Sequence, residues 1–512
     1  MKRFLLILFL GISAIGLGQV PIIDWEKNYG GSFSDEAFSL QQTQDGGYVF
    51  TGPSTSSDID VSTNQGNHDY WIVKLDSLAN IEWSKSYGGS LQDTPYSIKQ
   101  TIEGGYIIAG VSKSADGDVT GNHGGFDIWI IRLDALGNLM WEKALGGSGS
   151  EWAESILETN DNGFIFCGET NSDDGDVTGN HGSSDYWVVK LNSFGNLVWQ
   201  KCFGGTSSEE AYSIVQTNDG GYAVAGRAYS NNGDVTINLG SYDYWILKLN
   251  NLGNIEWEKS LGGTDYDMAY CIEQTIDQGF IISGLTLSLD GDVSQYYGNQ
   301  DCWVVKLDSL GNLLWEKTIG GSLNELHRSS VSQTTDGEYI LCTSSSSDDF
   351  DVFDNNGEVD GLIVKLNQFG NIIWKKSFGS TQHDEIRSIV EIANNQYVFA
   401  GYSGTNDMDV TQNYGQKDAW IVKLNTPQTV SLENDIVGEE IEVYPNPITN
   451  LITIQSESVL DNKFNIYDQQ GRAVMKGKIT GKSTQVSLSK LYRGTYSIQV
   501  DGNYKPAVII KQ

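Results

Sequence analysis

The sequence has few cysteines, few basic residues and one long apolar run, and each shortage excludes a class of protein. Five cysteines occur in 512 residues, and their spacing suggests neither a disulfide framework nor a zinc site. We interpret them as small buried residues. Outside residues 1–18, no run approaches the ~18 apolar residues of a spanning helix, so no transmembrane segment is predicted. No nucleophile elbow, zinc-protease helix, phosphate loop or sialidase-type Asp box occurs, so no catalytic residue is assigned.

Basic residues are scarce relative to acidic ones, with 32 Lys and Arg against 66 Asp and Glu. The whole chain carries a net charge of −34. Because residues 1–18 contribute +2, and residues 441–512 contribute nine basic against five acidic side chains, residues 19–440 carry −40. Such a field repels nucleic acid and anionic membrane surfaces, and it attracts divalent cations. Nucleic-acid binding is therefore not expected.

Residues 1–18 have the composition of an export signal. Lys2 and Arg3 precede an apolar core from residue 4 to residue 10, and small residues follow at Gly16 and Gly18. This order is typical of a secretory signal peptide, and the core is too short to anchor the chain in a membrane. The sequence therefore predicts export through the periplasm.

The dominant feature is an internal repeat between residues 19 and 425. Its strand-end tryptophans are spaced 58 residues apart five times and then 59, at Trp25, Trp83, Trp141, Trp199, Trp257, Trp315 and Trp374. One unit, residues 96–147, contains four short apolar or alternating runs separated by Gly, Asn and Asp turns. These runs are typical of four antiparallel strands joined as a meander. A fixed period of this length indicates one supersecondary unit repeated along the chain.

Four-stranded sheets that are apolar on both faces must stack on their neighbours, and this favours a β-propeller. The last repeat stops after its third strand, near residue 424, whereas a lone Trp-bearing strand at residues 22–27 precedes the first repeat. The sequence therefore predicts an all-β fold. Residues 19–425 form a seven-bladed β-propeller with four antiparallel strands per blade, and the N-terminal strand closes the last blade.

Beyond the repeat, residues 426–440 form a polar, acidic linker, and residues 441–512 contain short alternating strands typical of a small Ig-like β-sandwich. The motifs are Tyr444-Pro445-Asn446-Pro447, Ile466-Tyr467-Asp468 with Gly471, Leu488 to Leu491 with Gly494 and Tyr496, and Ile509-Ile510-Lys511. In this order they resemble the type A sorting domain of the Bacteroidota type IX secretion system. The resemblance implies passage through the outer membrane by that machinery, followed by release or attachment to the cell surface.

The propeller repeats are similar to β-propeller repeats common in secreted Bacteroidota proteins and to the related delta-60 repeats. The segment 133–143, LDALGNLMWEK, resembles the tryptophan-docking motif of quinoprotein dehydrogenases. The quinone and metal ligands of those enzymes are not found in this sequence. The resemblance therefore implies that tryptophans pack between blades, and it implies no redox chemistry or cofactor.

The loop between the second and third strands is the candidate metal site. Its oxygen-bearing residues follow the spacing of a twelve-residue calcium loop, with Gly at the sixth position in repeats two and three. The alternative is that the aspartates close turns through backbone amides. The predicted calcium ligands are Asp116, Asp118, Thr120 and Asp127 in repeat two, and Asp174, Asp176, Thr178 and Asp185 in repeat three. No other cofactor is predicted.

Two functions remain open. The first is a non-catalytic binding or adhesion scaffold, secreted or displayed on the cell surface, with an extracellular glycan or protein as ligand. The alternative is a secreted polysaccharide hydrolase or lyase with its site at the mouth of the central channel. The alternative predicts that acidic and aromatic residues of different blades converge where the repetition fails. Repeats six and seven diverge most, at Leu362 and Ser380.

Overall fold

The computed structural model describes residues 20–393, 395–426, 441–444, 450–460, 462–467, 473–500 and 507–511. The predicted signal peptide and all but the first residue of the predicted linker lie outside these ranges. The chain divides into two compact units, residues 1–427 and 428–512, and each is described by itself. Within the described residues, no helix is long and apolar enough to cross a membrane.

The first unit is built from seven four-stranded antiparallel sheets; six are meanders in sequence order, and the seventh is completed by the N-terminal strand. In each blade the strands are given from the inner to the outer one. Blade 1 comprises Ser39–Gln42, Tyr48–Ser54, Asp69–Leu75 and Ile81–Tyr87, and blade 2 comprises Asp93–Gln100, Tyr106–Ser112, Asp127–Leu133 and Leu139–Leu145. Blade 3 comprises Glu151–Glu158, Phe164–Thr170, Asp185–Leu191 and Leu197–Phe203, and blade 4 comprises Glu209–Gln216, Tyr222–Ala228, Asp243–Leu249 and Ile255–Leu261. Blade 5 comprises Asp267–Gln274, Phe280–Thr286, Asp301–Leu307 and Leu313–Ile319, and blade 6 comprises Glu325–Gln333, Tyr339–Ser345, Asp360–Leu366 and Ile372–Phe378. Blade 7 comprises Asp384–Ala393, Gln396–Ser403, Asp418–Asn425 and Ile22–Tyr29.

The N-terminal strand closes the ring, as the sequence predicts. Ile22–Tyr29 pairs antiparallel with Asp418–Asn425, with Ile22 opposite Asn425 and Tyr29 opposite Ala419. Each inner strand also contacts the inner strands of the two adjacent blades, and those of blades 7 and 1 meet. The predicted seven-bladed β-propeller is confirmed.

The middle strands of each blade form the core because they are covered on both faces. Tyr106–Ser112 and Asp127–Leu133 are buried along their whole length, and the same holds for the middle strands of blades 1, 5 and 6. Their apolar side chains pack against those of the neighbouring blade, so each core cluster spans a blade junction. All five cysteines are free; four are buried and Cys271 is half-buried, which confirms their interpretation as packing residues.

The outer-strand tryptophans dock between blades. A Cβ added at Gly137, in the turn before the outer strand of blade 2, would lie 2.9 Å from Trp83 Cε3 of blade 1. Gly137 has φ of +77°, so the turn also needs a left-handed residue there. The same pairing recurs at Gly195, Gly253, Gly311 and Gly370. Five of the six turns in blades 1 to 6 therefore carry a glycine at this position, and blade 1 carries Ala79, with φ of +60°.

The second unit consists of two small antiparallel sheets. One contains Ile441–Tyr444, Leu451–Leu460 and Gly481–Ser487, and the other contains Ala473–Lys478, Lys463–Tyr467, Gly494–Val500 and Ala507–Lys511. Buried residues including Ile454, Ile466 and Ile498 share one core. The Tyr496 hydroxyl donates to the Tyr492 carbonyl at 2.9 Å, which ties the chain into the strand. The predicted small C-terminal β-sandwich is confirmed. Of the quoted motifs, residues 445–447, 468 and 471 lie outside the described part.

Candidate functional site

The seven inner strands surround a central cavity of about 740 Å³. We call the end at which these strands begin the upper mouth. Successive inner strands are joined by serine hydroxyls, because Ser97 Oγ accepts from the Ile156 amide at 3.3 Å and Ser155 Oγ accepts from the Ile214 amide at 3.4 Å. Equivalent bonds are accepted by Ser39, Ser213 and Ser388. The wall of the cavity is therefore held together by bonds between blades as well as within them.

The repetition fails in one layer of this cavity. The layer contains the fourth residue of six inner strands, together with Phe38 in blade 1. Blades 2, 4 and 5 place tyrosine there, whereas blade 3 places a carboxylate and blades 6 and 7 place guanidinium groups. The complete layer is Phe38, Tyr96, Glu154, Tyr212, Tyr270, Arg328 and Arg387. Seven similar blades thus enclose an asymmetric, charged and aromatic surface.

An ion pair spans the cavity in this layer. Arg328 of blade 6 donates from Nη1 and Nη2 to Glu154 of blade 3, at 2.6 and 3.1 Å. The Arg328 guanidinium also lies 4.7 Å from the centre of the Tyr96 ring. Blade 6 has one extra residue at its inner-strand bulge, and Arg328 has φ of +68°. A non-glycine residue in this region is strained, and such outliers cluster at functional sites.

Arg387 of blade 7 forms a second cationic group in the layer. Its guanidinium carbon lies 4.1 Å from the centre of the Phe38 ring, and Nη2 contacts Glu385 Oε2 at 2.9 Å. His383 Nε2 lies 2.9 Å from Glu385 Oε1. Burial raises the pKa of Glu385, but the His383 hydrogen bond and the Arg387 charge outweigh it and lower that pKa to about 2. Glu385 is therefore a carboxylate at neutral pH.

A third charged group lies at the upper mouth between blades 3 and 4. Arg227 Nη2 donates to both oxygens of Glu210, at 2.5 and 2.7 Å, and the Tyr212 hydroxyl donates to the same carboxylate. Glu169 lies beside this group without an arginine of its own. Burial, reinforced by the charges of Glu210 and Glu154, raises the pKa of Glu169. Glu169, whose pKa is raised, therefore lies close to the arginine-paired carboxyl group of Glu210.

The predicted calcium loops use their carboxylates to bind the chain itself. In repeat two, Asp116 Oδ1 accepts from the Ser90 amide at 2.7 Å, and Asp118 Oδ2 accepts from the Gly88 amide at 3.2 Å. Asp127 Oδ2 accepts from the His123 amide at 2.8 Å, and the Thr120 hydroxyl donates to Glu142. In repeat three, Asp174, Asp176 and Asp185 bind the Ser148, Gly146 and His181 amides, and Thr178 binds Gln200.

These bonds support the turn-closing alternative. Among the described residues, no group of three or more His, Cys, Asp or Glu side chains is arranged to hold a metal ion. Calcium at these eight residues stays a prediction.

Each loop nevertheless leaves one buried carboxylate oxygen without a partner. Oδ1 of Asp243, Asp360 and Asp418 is buried and accepts no hydrogen bond. Burial, followed by the nearby charge of an acidic residue of the next blade (Asp267, Asp384 and Asp35 respectively), raises the pKa of each of these three side chains to about 7. The blade junctions of the upper face therefore contain carboxyl groups that favour the protonated form.

Repeats six and seven do depart from the repeat at the cavity, but the departing residues there are not Leu362 and Ser380. Leu362 is buried in the third strand of blade 6, and Ser380 donates to Asp384 at 2.5 Å in a blade junction. The channel residues of those blades, Arg328 and Arg387, were missed. Their signal was present as a break in an otherwise aromatic repeat position, and as the single 59-residue spacing that precedes Trp374.

Residues 442–511 match the secretion system C-terminal sorting domain family, Por_Secre_tail. The chain thus carries a type IX sorting domain, which directs export to the cell surface or the extracellular space and implies interaction with the type IX machinery.

Comparisons over the remaining chain are distant. The regulatory protein FlaEY of Caulobacter vibrioides is 24% identical over 230 residues, covering 39% of this chain and 24% of that protein. The chain therefore spans about a quarter of the length of this curated relative. PorZ, a surface component of the type IX secretion system of Porphyromonas gingivalis, has a TM-score of 0.38 and 9% identity, covering 96% of this chain and 61% of PorZ. A Bacteroides caccae protein of unknown function has a TM-score of 0.33 and 13% identity, covering 61% and 88%. None of these likenesses carries an argument about function.

Proposed function

We propose that this exported protein is a non-catalytic extracellular binding propeller that takes a glycan or protein ligand at its upper mouth. The observation that carries the proposal is the broken layer, in which Glu154, Arg328 and Arg387 interrupt a ring of aromatic residues. A scaffold alone needs seven equivalent residues there. A site needs a few placed polar groups among aromatic surfaces, and this layer supplies both.

The state of the charged groups supports binding over catalysis. Glu154, Glu210 and Glu385 each form an ion pair with an arginine at 2.5–2.9 Å. A glycosidase needs one carboxylic acid and one carboxylate that face the same bond. Carboxylates held by arginine are poor bases and poor nucleophiles, but they fix the guanidinium planes against the aromatic rings. The mouth is therefore preorganised, which reduces the entropy lost on binding.

The test is to screen the full chain on glycan and matrix-protein arrays, with two variants. Tyr212→Ala removes an aromatic group of the layer, and Phe194→Ala removes an aromatic side chain that is 74% exposed on a turn outside the channel. We expect the wild type and Phe194→Ala to retain the same ligand and Tyr212→Ala to lose most of the signal. Absence of any retained ligand, or equal retention by all three proteins, would contradict the proposal.

The polysaccharide hydrolase or lyase stays as a second candidate because of Glu169. Its raised pKa is a property of general acids, and the charges of Glu154 in blade 3 and Glu210 in blade 4 act on it. Glu169→Gln separates the two functions, since the amide preserves a neutral hydrogen-bonding group but cannot transfer a proton. Turnover of a polysaccharide by the wild type that Glu169→Gln abolishes would favour the enzyme. Binding without turnover, retained in the variant, supports the scaffold.

A further inference from the structure

A separate small cavity of about 250 Å³ opens on the upper face between blades 3 and 4. Its lining is almost entirely polar and comes from both blades. The wall includes one tryptophan, one carboxyl group, one amide and several hydroxyl groups, from Trp152, Glu169, Asn171, Ser150, Ser184 and Ser208. Trp152 is half-buried and lies at a position that the other repeats fill with other residue types.

The cavity exists because one repeat position carries a small residue in blade 3. The position of Ser184 is occupied by Phe126 in blade 2 and by Tyr242 in blade 4. Phe126 packs against Trp152 of blade 3, with ring centres 5.0 Å apart, and Tyr242 packs against Tyr266 of blade 5 at 5.6 Å. Where those rings fill the space between blades, Ser184 leaves it open. The gap beside Ser184 thus lies where blades 2 and 4 place an aromatic ring.

Glu169 places a carboxyl group where three other repeats are apolar. Its position holds Pro53, Val111 and Leu285 in blades 1, 2 and 5. A carboxyl group in such surroundings costs stability unless it is protonated or paired. Burial raises the pKa of Glu169, and the charges of Glu210 and Glu154 act in the same direction, against Arg227 and a hydrogen bond from Ser184. Glu169 therefore offers both a donor and an acceptor to a neutral ligand.

We propose that this cavity binds one neutral sugar residue of an extracellular glycan, with Trp152 against the ring and Glu169, Asn171 and Ser184 bonding its hydroxyl groups. The inference rests on the proposed function and narrows its ligand. A pyranose combines an apolar ring face with several hydroxyl groups, and this wall offers one aromatic side chain among donors and acceptors. The cavity is smaller than the ~300–1,000 Å³ of sites for larger ligands, so it suits a single ring.

The charge of the propeller selects against acidic sugars. Residues 19–440 carry a net charge of −40, and Glu154, Glu169 and Glu210 all lie near the cavity. A uronate carboxylate would enter a negative field with no unpaired arginine to meet it, since Arg227 is bound to Glu210. The cavity therefore favours uncharged hexoses over uronic acids.

The experiment uses the full chain with methyl pyranosides of glucose, galactose and mannose, and with methyl glucuronide, by saturation-transfer NMR and titration calorimetry. Ser184→Tyr copies Tyr242 and fills the cavity, whereas Gln300→Tyr places the same side chain at the equivalent position of blade 5. We expect one neutral glycoside to bind more tightly than the glucuronide. Ser184→Tyr should lower its affinity at least about tenfold, and Gln300→Tyr by less than about twofold.

A second pair of variants covers the case in which Ser184→Tyr does not fold, as judged by circular dichroism. Glu169→Gln should retain sugar binding, and Glu169→Ala should lose about fivefold or more in affinity. The inference is overturned if no neutral glycoside binds, if the glucuronide binds more tightly, or if both Ser184→Tyr and Glu169→Ala bind as the wild type does. If both variants bind the glycoside as the wild type does and the arrays still identify a ligand, the sugar site is refuted but the proposed function is retained. Absence of any array ligand would remove both.

Discussion

Substituting Arg328 by alanine leaves Glu154 charged inside the channel without its partner. Exposed ion pairs contribute ~0–1 kcal/mol, and removing one partner of a buried pair costs ~3–5 kcal/mol. The Glu154 side chain is 9% exposed but that of Arg328 is 33% exposed, so water screens the pair in part. We therefore expect Arg328→Ala to lower the free energy of unfolding by about 2–3 kcal/mol.

A double-mutant cycle isolates the pair from the other contacts of Arg328. Glu154→Gln removes the partner charge while keeping the side-chain volume. The double variant Glu154→Gln, Arg328→Ala should be more stable than the sum of the two single changes predicts, by about 1–2 kcal/mol. Arg328→Gly provides a control for the backbone, because glycine relieves the positive φ. It should be about 1 kcal/mol more stable than Arg328→Ala.

The assay is urea unfolding of the full chain followed by tryptophan fluorescence, with stability compared at an unchanged m value. Effects that add within ~0.5 kcal/mol would show that the two side chains do not stabilise each other. In that case the short distance between them contributes no measurable stability, and the preorganised mouth loses its main support.

Four further outcomes are expected. Gly137→Ala should destabilise the propeller by ~1–3 kcal/mol more than Gly104→Ala, because its Cβ would meet Trp83 whereas that of Gly104 meets nothing within 4 Å; equal urea midpoints would contradict tryptophan docking. In calcium-free buffer, the melting temperature should fall as the pH rises from about 4 to about 7. The reason is that the folded chain binds more protons than the unfolded chain at Asp243, Asp360 and Asp418, whose pKa values are raised from 3.8. A melting temperature that rises over that range would contradict this prediction. Millimolar calcium should raise the melting temperature, and Asp116→Asn should reduce that rise; a melting temperature indifferent to calcium would argue against the predicted loops. Deleting residues 441–512 should leave a folded propeller in the periplasm; surface display or unfolding of the truncated chain would refute two independent units.

The architecture was predictable because the same pattern of strands and turns recurs in every repeat. The tryptophan period predicts seven blades, and the lone strand before the first repeat predicts how the ring closes. Both patterns extend over many residues, so a single substitution does not obscure them. The channel was not predictable in the same way. Whether Arg328 lines the cavity depends on a bulge and on one extra residue in blade 6, and a bulge changes which side chains face inward. The cavity beside Ser184 was harder still, since it arises from an aromatic ring that is missing rather than from a residue that is present.

Closure of the ring by Ile22–Tyr29 has a consequence for the order in which the chain folds. Ile22–Tyr29 precedes the other propeller strands in sequence, yet it pairs with Asp418–Asn425, the last strand of the repeat region. No shorter chain can form this ladder, so the ring closes only after all seven repeats have been synthesised. Because contacts so distant in sequence form slowly, the open ring exposes two unpaired edges for longer than a compact helical domain would. The sorting domain follows Asp418–Asn425 in sequence, after the predicted linker of residues 426–440. A chain that has been synthesised as far as the sorting domain therefore already contains every strand that the ring requires.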